Sequence, residues 1–255
     1  MDLGLPVAGL ERYKSASQRA RIATEEWAHE SLYCPRCSSN QLKQFAANTP
    51  AIDFTCPNCD ALFQLKSQSK PLGNRINDAA YASMVSAIRE DRTPNLLALH
   101  YDFDSWRVEN LLLIPRFAFT TSMIEKRAPL GPDARRAGWV GCNILIGRVP
   151  ADARISMVVD GVPAKARTVR EEYRRLAPLQ KLGVARRGWT LDVLSGLRSL
   201  RKTEFTLADA YTLERELQTL HPENRHVRDK IRQQLQVLRD MGLLKFLEAG
   251  HYRFA

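Results

Sequence analysis

Strong helix formers run from Tyr13 to Glu30, with apolar Ala20, Ile22, Ala23 and Trp27 at roughly helical spacing, and predict an opening helix. Ala51 to Thr55 and Ala61 to Ser67 are short segments rich in strand formers, and Asn77 to Arg89 reads helical. Leu96 to Asp102 and Glu109 to Ile114 predict two further strands. A helix followed by strands with another helix interposed indicates a mixed α/β fold. From Ala128 to Asp152 prolines and glycines alternate with basic residues, which predicts a long loop containing one short strand, Asn143 to Ile146.

The pattern changes after a polar, basic and aperiodic stretch at Ala177 to Gly188, where a domain boundary is expected, giving units 1–183 and 184–255. Three helical segments follow, Leu191 to Leu200, Leu207 to Leu220 and Val227 to Met241. A hairpin closes the chain, Leu243 to Glu248 and His251 to Phe254 around Ala249-Gly250. This order is that of a winged helix. In its third helix Val227, Ile231, Leu235 and Leu238 share one face. Arg225, Arg228, Arg232, Gln233 and Gln236 are left for solvent or for base edges, since arginine and glutamine carry donor patterns suited to guanine and adenine.

Charge strengthens that reading. Among 255 residues, 38 lysines and arginines face 28 acidic residues, a net +10 that suits a polyanionic partner. The first residues lack a basic region followed by an apolar stretch, and no apolar run is long enough to span a membrane, so a soluble cytoplasmic protein is expected. Without an obvious dimerisation surface a monomer is expected. No P-loop and no hydrolase triad motif is evident.

Four of the five cysteines form two knuckles, Cys34-Pro-Arg-Cys37 and Cys56-Pro-Asn-Cys59. Paired C-x-x-C units outside a secreted chain favour metal over disulfides, and the shared Pro-x-Cys turn favours a closed four-thiolate structural zinc site over redox pairs. The fifth, Cys142, reads as a small buried thiol. A hairpin turning at the second knuckle would place Asp53 on one strand beside Gln64 and Lys66 on the next, with Phe63 and Leu65 on the opposite face. Oxygen donors beside an ammonium suit metal-assisted phosphodiester hydrolysis, although Asp-x(10)-Gln-x-Lys alone is an undemanding pattern.

Several longer runs carry a resemblance. They are Ser17-Gln18-Arg19-Ala20-Arg21-Ile22, the four cysteines, Leu65-Lys66-Ser67, Ile76-Asn77-Asp78 with Ala80-Tyr81-Ala82, Ala134-Arg135-Arg136-Ala137-Gly138-Trp139, and Lys230-Ile231-Arg232-Gln233-Gln234-Leu235-Gln236. In these the chain resembles the DpnI family of methyl-directed type II restriction endonucleases over nearly its full length. The resemblance implies a PD-(D/E)xK nuclease domain containing zinc, joined to a winged helix, both binding double-stranded DNA. It further implies magnesium-dependent cleavage of GATC sites carrying N6-methyladenine. Asp53 and Gln64 then hold magnesium, Lys66 is the catalytic lysine, and Trp139, beside Arg135 and Arg136, meets the methyl groups. Gln64 departs from the motif, which has glutamate there. A methyl-adenine-binding protein without cleavage is the alternative this departure leaves open.

Overall fold

The apolar run Leu96–Leu99 is buried on both faces at the centre of the main sheet in the computed structural model, which describes residues 1–46, 49 and 51–255. In chain order the N-terminal part comprises α1 (Ala16–Ser31), β1 (Lys43–Gln44), β2 (Phe54–Thr55), β3 (Leu62–Gln68), β4 (Arg75–Ala80), α2 (Tyr81–Arg89), β5 (Asn95–Asp102) and β6 (Arg107–Ile114). It continues through β7 (Ile124–Lys126), β8 (Gly141–Leu145), β9 (Ile155–Val159), β10 (Val162–Pro163) and α3 (Ala166–Leu176). Seven strands form the main sheet in the order β1-β2-β3-β5-β6-β9-β10. Its β3 and β5 are parallel, with Gln64 opposite Leu96 and Lys66 opposite Ala98, and the chain between them crosses over through β4 and α2. A small antiparallel sheet, β4-β8-β7, completes this part.

Helix α1 lies against β3, where the buried Thr24 hydroxyl donates to Ser67 Oγ at 3.1 Å. It begins three residues later than the periodicity predicts because Leu10–Arg12 form a separate short turn and Ser15 is extended. The segment Asn77–Ala80 is strand, contrary to the helix expected from Asn77 onward. Register with β8, Ile76 opposite Ile144 and Asn77 opposite Asn143, supplies a backbone partner that outweighs local helix preference. Only Tyr81–Arg89 is helical. The long loop expected from Ala128 to Asp152 holds its one strand as β8, two residues earlier than Asn143, together with two short helical turns at Ile146–Arg148 and Ala151–Ala153, while the spacing does not predict β7, β9, β10 or α3. Helix α3 is charged over most of its surface, and it is fixed by buried Val169, Tyr173 and Leu176. Tyr173 Oη donates to Asn95 Oδ1 at 3.0 Å.

The C-terminal part contains α4 (Val184–Ser199), β11 (Glu204–Thr206), α5 (Leu207–Tyr211), α6 (Glu214–Leu220), α7 (Val227–Asp240), β12 (Leu244–Glu248) and β13 (His251–Phe254). Its sheet has the order β11-β13-β12, so the expected terminal hairpin gains a third strand. Val227, Ile231, Leu235 and Leu238 are buried as their spacing predicts. The helix expected from Leu207 to Leu220 is divided, since 3-10 bonds from Thr212 N to Asp209 O and from Leu213 N to Ala210 O tighten the chain. That break turns Leu213 onto Gly196, whose missing side chain admits it: a Cβ there would lie 2.9 Å from a Leu213 methyl.

Helix α4 starts seven residues before the expected Leu191, inside the stretch read as an aperiodic boundary. The reason lies in packing across the two parts. Arg187 is 2% exposed and its guanidinium donates across to Asp91 Oδ1 at 2.6 Å, and within the C-terminal part Trp189 stacks on His221 with centroids 3.8 Å apart. Asp192 accepts from Ser122 Oγ at 2.6 Å and meets His221 Nε2 at 2.9 Å, and Arg198 donates to Asp152 at 2.7 Å. The winged helix is therefore docked on the sheet domain by charge-assisted bonds. No helix among the described residues is long and apolar enough to cross a membrane.

Helix α5 opens with a reciprocal capping box in which Thr206 and Asp209 satisfy each other's backbone N–H groups. The Lys202 ammonium, with the Thr206 N–H and hydroxyl, holds the Asp209 carboxyl down at about 2. A depressed carboxylate contributes stability that is complete above its ordinary pKa and is lost as pH falls through the folded value. The Asp209→Asn variant should accordingly be less stable than the wild type above about pH 4, with the gap in thermal midpoint closing as pH approaches about 2. Thermal unfolding across that range checks this.

Candidate active site

The four knuckle cysteines are drawn together as their spacing predicts. All ligand atoms of Cys34, Cys37, Cys56 and Cys59 lie within 4.8 Å of one another, with Cys34–Cys59 at 3.7 Å and Cys37–Cys56 at 3.5 Å. A tetrahedron of thiolates about 2.3 Å from zinc has edges of about 3.8 Å, so the cluster could hold a zinc ion. Backbone N–H groups of Ser39 and Asn58 point at Cys37 and Cys56 sulfurs at 3.5 and 3.4 Å. No sequence signal drew attention to Arg170 of α3, yet it clamps the first knuckle, donating to Cys34 O at 3.1 Å and Ser39 O at 2.9 Å. Cys142 stands apart, buried and donating to Ala79 O at 3.3 Å. Burial pushes its thiol up to about 11, which suits the inert role expected of it.

The second knuckle closes a hairpin. Cys56 N donates to Ala61 O, and Phe54 pairs with Phe63 across β2 and β3, which brings Asp53 beside Gln64 and Leu65. Phe63 is fully buried on one face, and Gln64 is 7% exposed. Asp53 is half-buried, and its Oδ2 accepts the Leu65 N–H at 2.7 Å. Burial pushes the Asp53 carboxyl up. The Leu65 N–H opposes that, Glu25 adds to the rise, and the charges of Lys66 and Arg21 oppose it. Arg21, Glu25, Gln44, Phe45 and Asp53 border a cleft of about 130 Å³, so α1 supplies one wall of the site. Arg21 and Glu25 are themselves paired at 2.7 Å.

Asp78 joins this group from β4. Its side chain is 2% exposed, and its Oδ1 receives the Lys66 ammonium at 2.8 Å and the Gln64 amide nitrogen at 3.3 Å. Helix propensity over Asn77 to Arg89 hides it, since a helical reading does not bring Asp78 to Lys66. The signal was available in the two-residue alternation from Arg75 to Ala80, in which Ile76 and Asp78 face inward while Arg75 and Asn77 face out.

Asp53, Gln64 and Lys66 are thus assembled with Asp78 on one side of a hairpin whose turn could bind zinc. The family described as DpnI, Dam-replacing, matches residues 1–182, and its companion, the Dam-replacing HTH domain, matches residues 185–254. The chain belongs to the DpnI, Dam-replacing family. Its C-terminal part is the helix-turn-helix domain of that family, and the protein acts on DNA.

The residues singled out for DNA contact fall into two groups. Arg135, Arg136 and Trp139 lie on a loop pinched shut by paired backbone bonds between Leu130 and Gly138–Trp139. Both arginines are exposed, Trp139 is half-buried, and the Arg136 guanidinium sits 4.9 Å from its ring centroid. One edge of the indole meets Gly141, where a Cβ would come within 2.7 Å of it, so glycine leaves the ring room there. The second group is on the winged helix, remote in sequence. Arg225 is exposed just ahead of α7, and Gln233 is exposed while accepting from Lys230 at 2.8 Å. Arg228 and Arg232 are not free side chains: Arg228 pairs with Glu214 at 2.8 Å, Arg232 bonds the Tyr211 hydroxyl, and both flank the Tyr211 ring. Between α7 and the wing, Leu235, Phe246 and Tyr252 line a cleft of about 380 Å³ edged by Arg232, Gln236 and Arg239.

If the cysteine cluster is a structural zinc site, purified protein should carry about one zinc per chain by elemental analysis. Stripping it with a chelator, or replacing Cys56 by Ser, should cost several kcal/mol, read as a fall in thermal midpoint of roughly 10 °C.

Proposed function

We propose that the protein is a type II restriction endonuclease of the PD-(D/E)xK class, magnesium-dependent, cutting double-stranded DNA at GATC sites that carry N6-methyladenine. In this reading residues 1–183 cut and residues 184–255 read DNA as a second, winged-helix module. The observation that carries it is the hairpin that sets a carboxylate, an amide oxygen and an ammonium side by side in a chain of the DpnI family.

The donor set suits a hard divalent cation. Leu65 N–H takes Asp53 Oδ2 and leaves Oδ1, and Asp78 takes the Gln64 amide nitrogen and leaves Oε1, so each side chain keeps an oxygen to offer a cation. Asp53 and Gln64 would hold magnesium, which when bound supplies Lewis-acid activation of the phosphate. Lys66 offsets the negative charge that builds on the phosphate oxygens and orients the attacking water. Its ammonium is kept in place by Asp78, and the Asp53 carboxylate by the Leu65 N–H, so neither group must reorganise as charge develops.

Methylation is read by apolar contact. A methyl on adenine N6 buried against the Trp139 indole gains about 0.8 kcal/mol, a preference of about fourfold. Two methyls lie close at the centre of a doubly methylated palindrome, so one flat ring can meet both. Arg135 and Arg136 place the loop on the phosphates. A second reader on α7 multiplies a preference that one indole cannot supply alone.

Gln64 favours a second reading, a methyl-adenine-binding protein that does not cut, because the amide brings one charge fewer to the metal. The test is incubation of the protein and its Asp53→Ala variant with magnesium and matched GATC duplexes, unmethylated and doubly methylated. Cutting of the methylated duplex alone, abolished in the variant, is the expected result. Tight binding of methylated duplex with no cutting in magnesium or manganese decides for the second reading. Trp139→Ala should reduce the methylated-to-unmethylated ratio of kcat/KM by about fourfold per methyl contact while leaving the thermal midpoint nearly unchanged.

A further inference from the structure

The first cysteine knuckle is a short loop closed by a backbone bond from Cys34 N to Ser39 O at 3.0 Å. Arg170 reaches it from α3, far along the chain. Its Nε donates to Cys34 O at 3.1 Å, and its Nη2 serves both Ser39 O at 2.9 Å and Asn40 Oδ1 at 3.2 Å. The guanidinium also lies 5.2 Å from the centroid of the Tyr33 ring. One planar group thus spans the loop, from the residue before its first cysteine to the residue after its closing bond.

Charge gives the contact a second meaning. Four thiolates around a divalent cation make a net dianion, and here Cys34 and Cys56 are fully buried. Burying such charge is costly unless a cation lies close by. Arg170 is bonded to the carbonyl of Cys34, and Arg36 reaches the carbonyl of Cys59 at 3.5 Å. Those two cysteines are neighbours in the cluster, with sulfurs 3.7 Å apart.

We propose that Arg170 is a positioning residue for zinc, which holds the first knuckle in its ligating shape and offsets part of the charge of the four thiolates. The inference rests on the reading of the cysteine cluster as a zinc site. A loop already shaped for its ion gives up less conformational freedom on binding, so the signature is zinc affinity as well as stability. The guanidinium fork bonds carbonyls at both ends of the loop, which the point charge of a lysine does not reproduce. Helix α3 supplies its own control. One turn beyond Arg170, buried Tyr173 donates to Asn95 Oδ1 at 3.0 Å, and Asn95 Nδ2 donates to Leu62 O at 2.9 Å. That second hold ends on β3, past the cysteines.

The test uses the full chain, freed of metal under reducing conditions and titrated with zinc against a chromophoric chelator. Arg170→Ala should bind zinc at least about tenfold more weakly than the wild type, the loss expected when a group that orients metal ligands is removed. Arg170→Lys keeps the charge without the fork and should fall between the two. Tyr173→Phe should lower the thermal midpoint yet keep zinc affinity within about twofold of the wild type. Cobalt in place of zinc should give the same thiolate-to-metal absorption in all four proteins, as intact ligand sets require.

Zinc affinity in Arg170→Ala within about twofold of the wild type, or lost equally in Tyr173→Phe, would overturn the proposal and leave Arg170 a packing contact of α3. Should Arg170→Ala not fold, Arg170→Lys decides by the same comparison. A wild type that takes up neither zinc nor cobalt gives a different result, since it sinks the zinc reading itself and the proposal with it.

Discussion

The register of one short hairpin governs the chemistry of this molecule. Phe54 must face Phe63 for Asp53 to come beside Gln64 and for the Leu65 N–H to reach its carboxylate. Strand side chains alternate with a period of two, so a slip of one residue would exchange Phe63 and Gln64 between core and cleft. Two devices hold the register. One is the fully buried pair Phe54 and Phe63, and the other is the turn, where Cys56 and Cys59 join the cysteines of the first knuckle in a common cluster. A closed tetrathiolate has no vacant position and does no chemistry, so its contribution to the site is geometric.

The second element on which the site depends is the small sheet. Its central strand β8 begins two residues after Trp139 and pairs with β4, placing Cys142 opposite Asp78. The loop proposed to meet the methyl groups and the carboxylate that holds Lys66 are thus rooted in neighbouring rungs of one ladder. Elements packed this tightly move together or not at all. This gives a physical reason for a loop of such length to be ordered, with its ends closed by the Leu130 backbone bonds and its ring seated on Gly141.

The winged helix is joined to the sheet domain by more than a linker. Arg187, Asp192 and Arg198 all project from α4, and each bonds a residue of the sheet domain: Asp91, Ser122 and Asp152. A buried guanidinium such as Arg187 is strongly unfavourable without its partner, so separating the two parts costs desolvated charge as well as apolar contact. Parts joined in this way are held against one another, in contrast to modules on a flexible tether.

The sequence alone determined whatever is written in local spacing. The two C-x-x-C units, the alternation around Phe63, Gln64 and Lys66, the apolar face of α7 and the terminal Gly250 turn each depend on residues a few positions apart, and each is present as read. What tertiary structure alone decided depends on partners far along the chain. Asn77 to Ala80 became strand because β8 offered an edge, the polar stretch at Val184 to Gly188 became helix because Arg187 found Asp91, and α3 was fixed by Tyr173 and Arg170 reaching Asn95 and the first knuckle. Asp78 belongs with these. Its charge was visible in the sequence, but its role depends on a contact with Lys66 across twelve residues and two different sheets. No local periodicity encodes that contact, because the free energy that selects it is gained only when both strands are already in place.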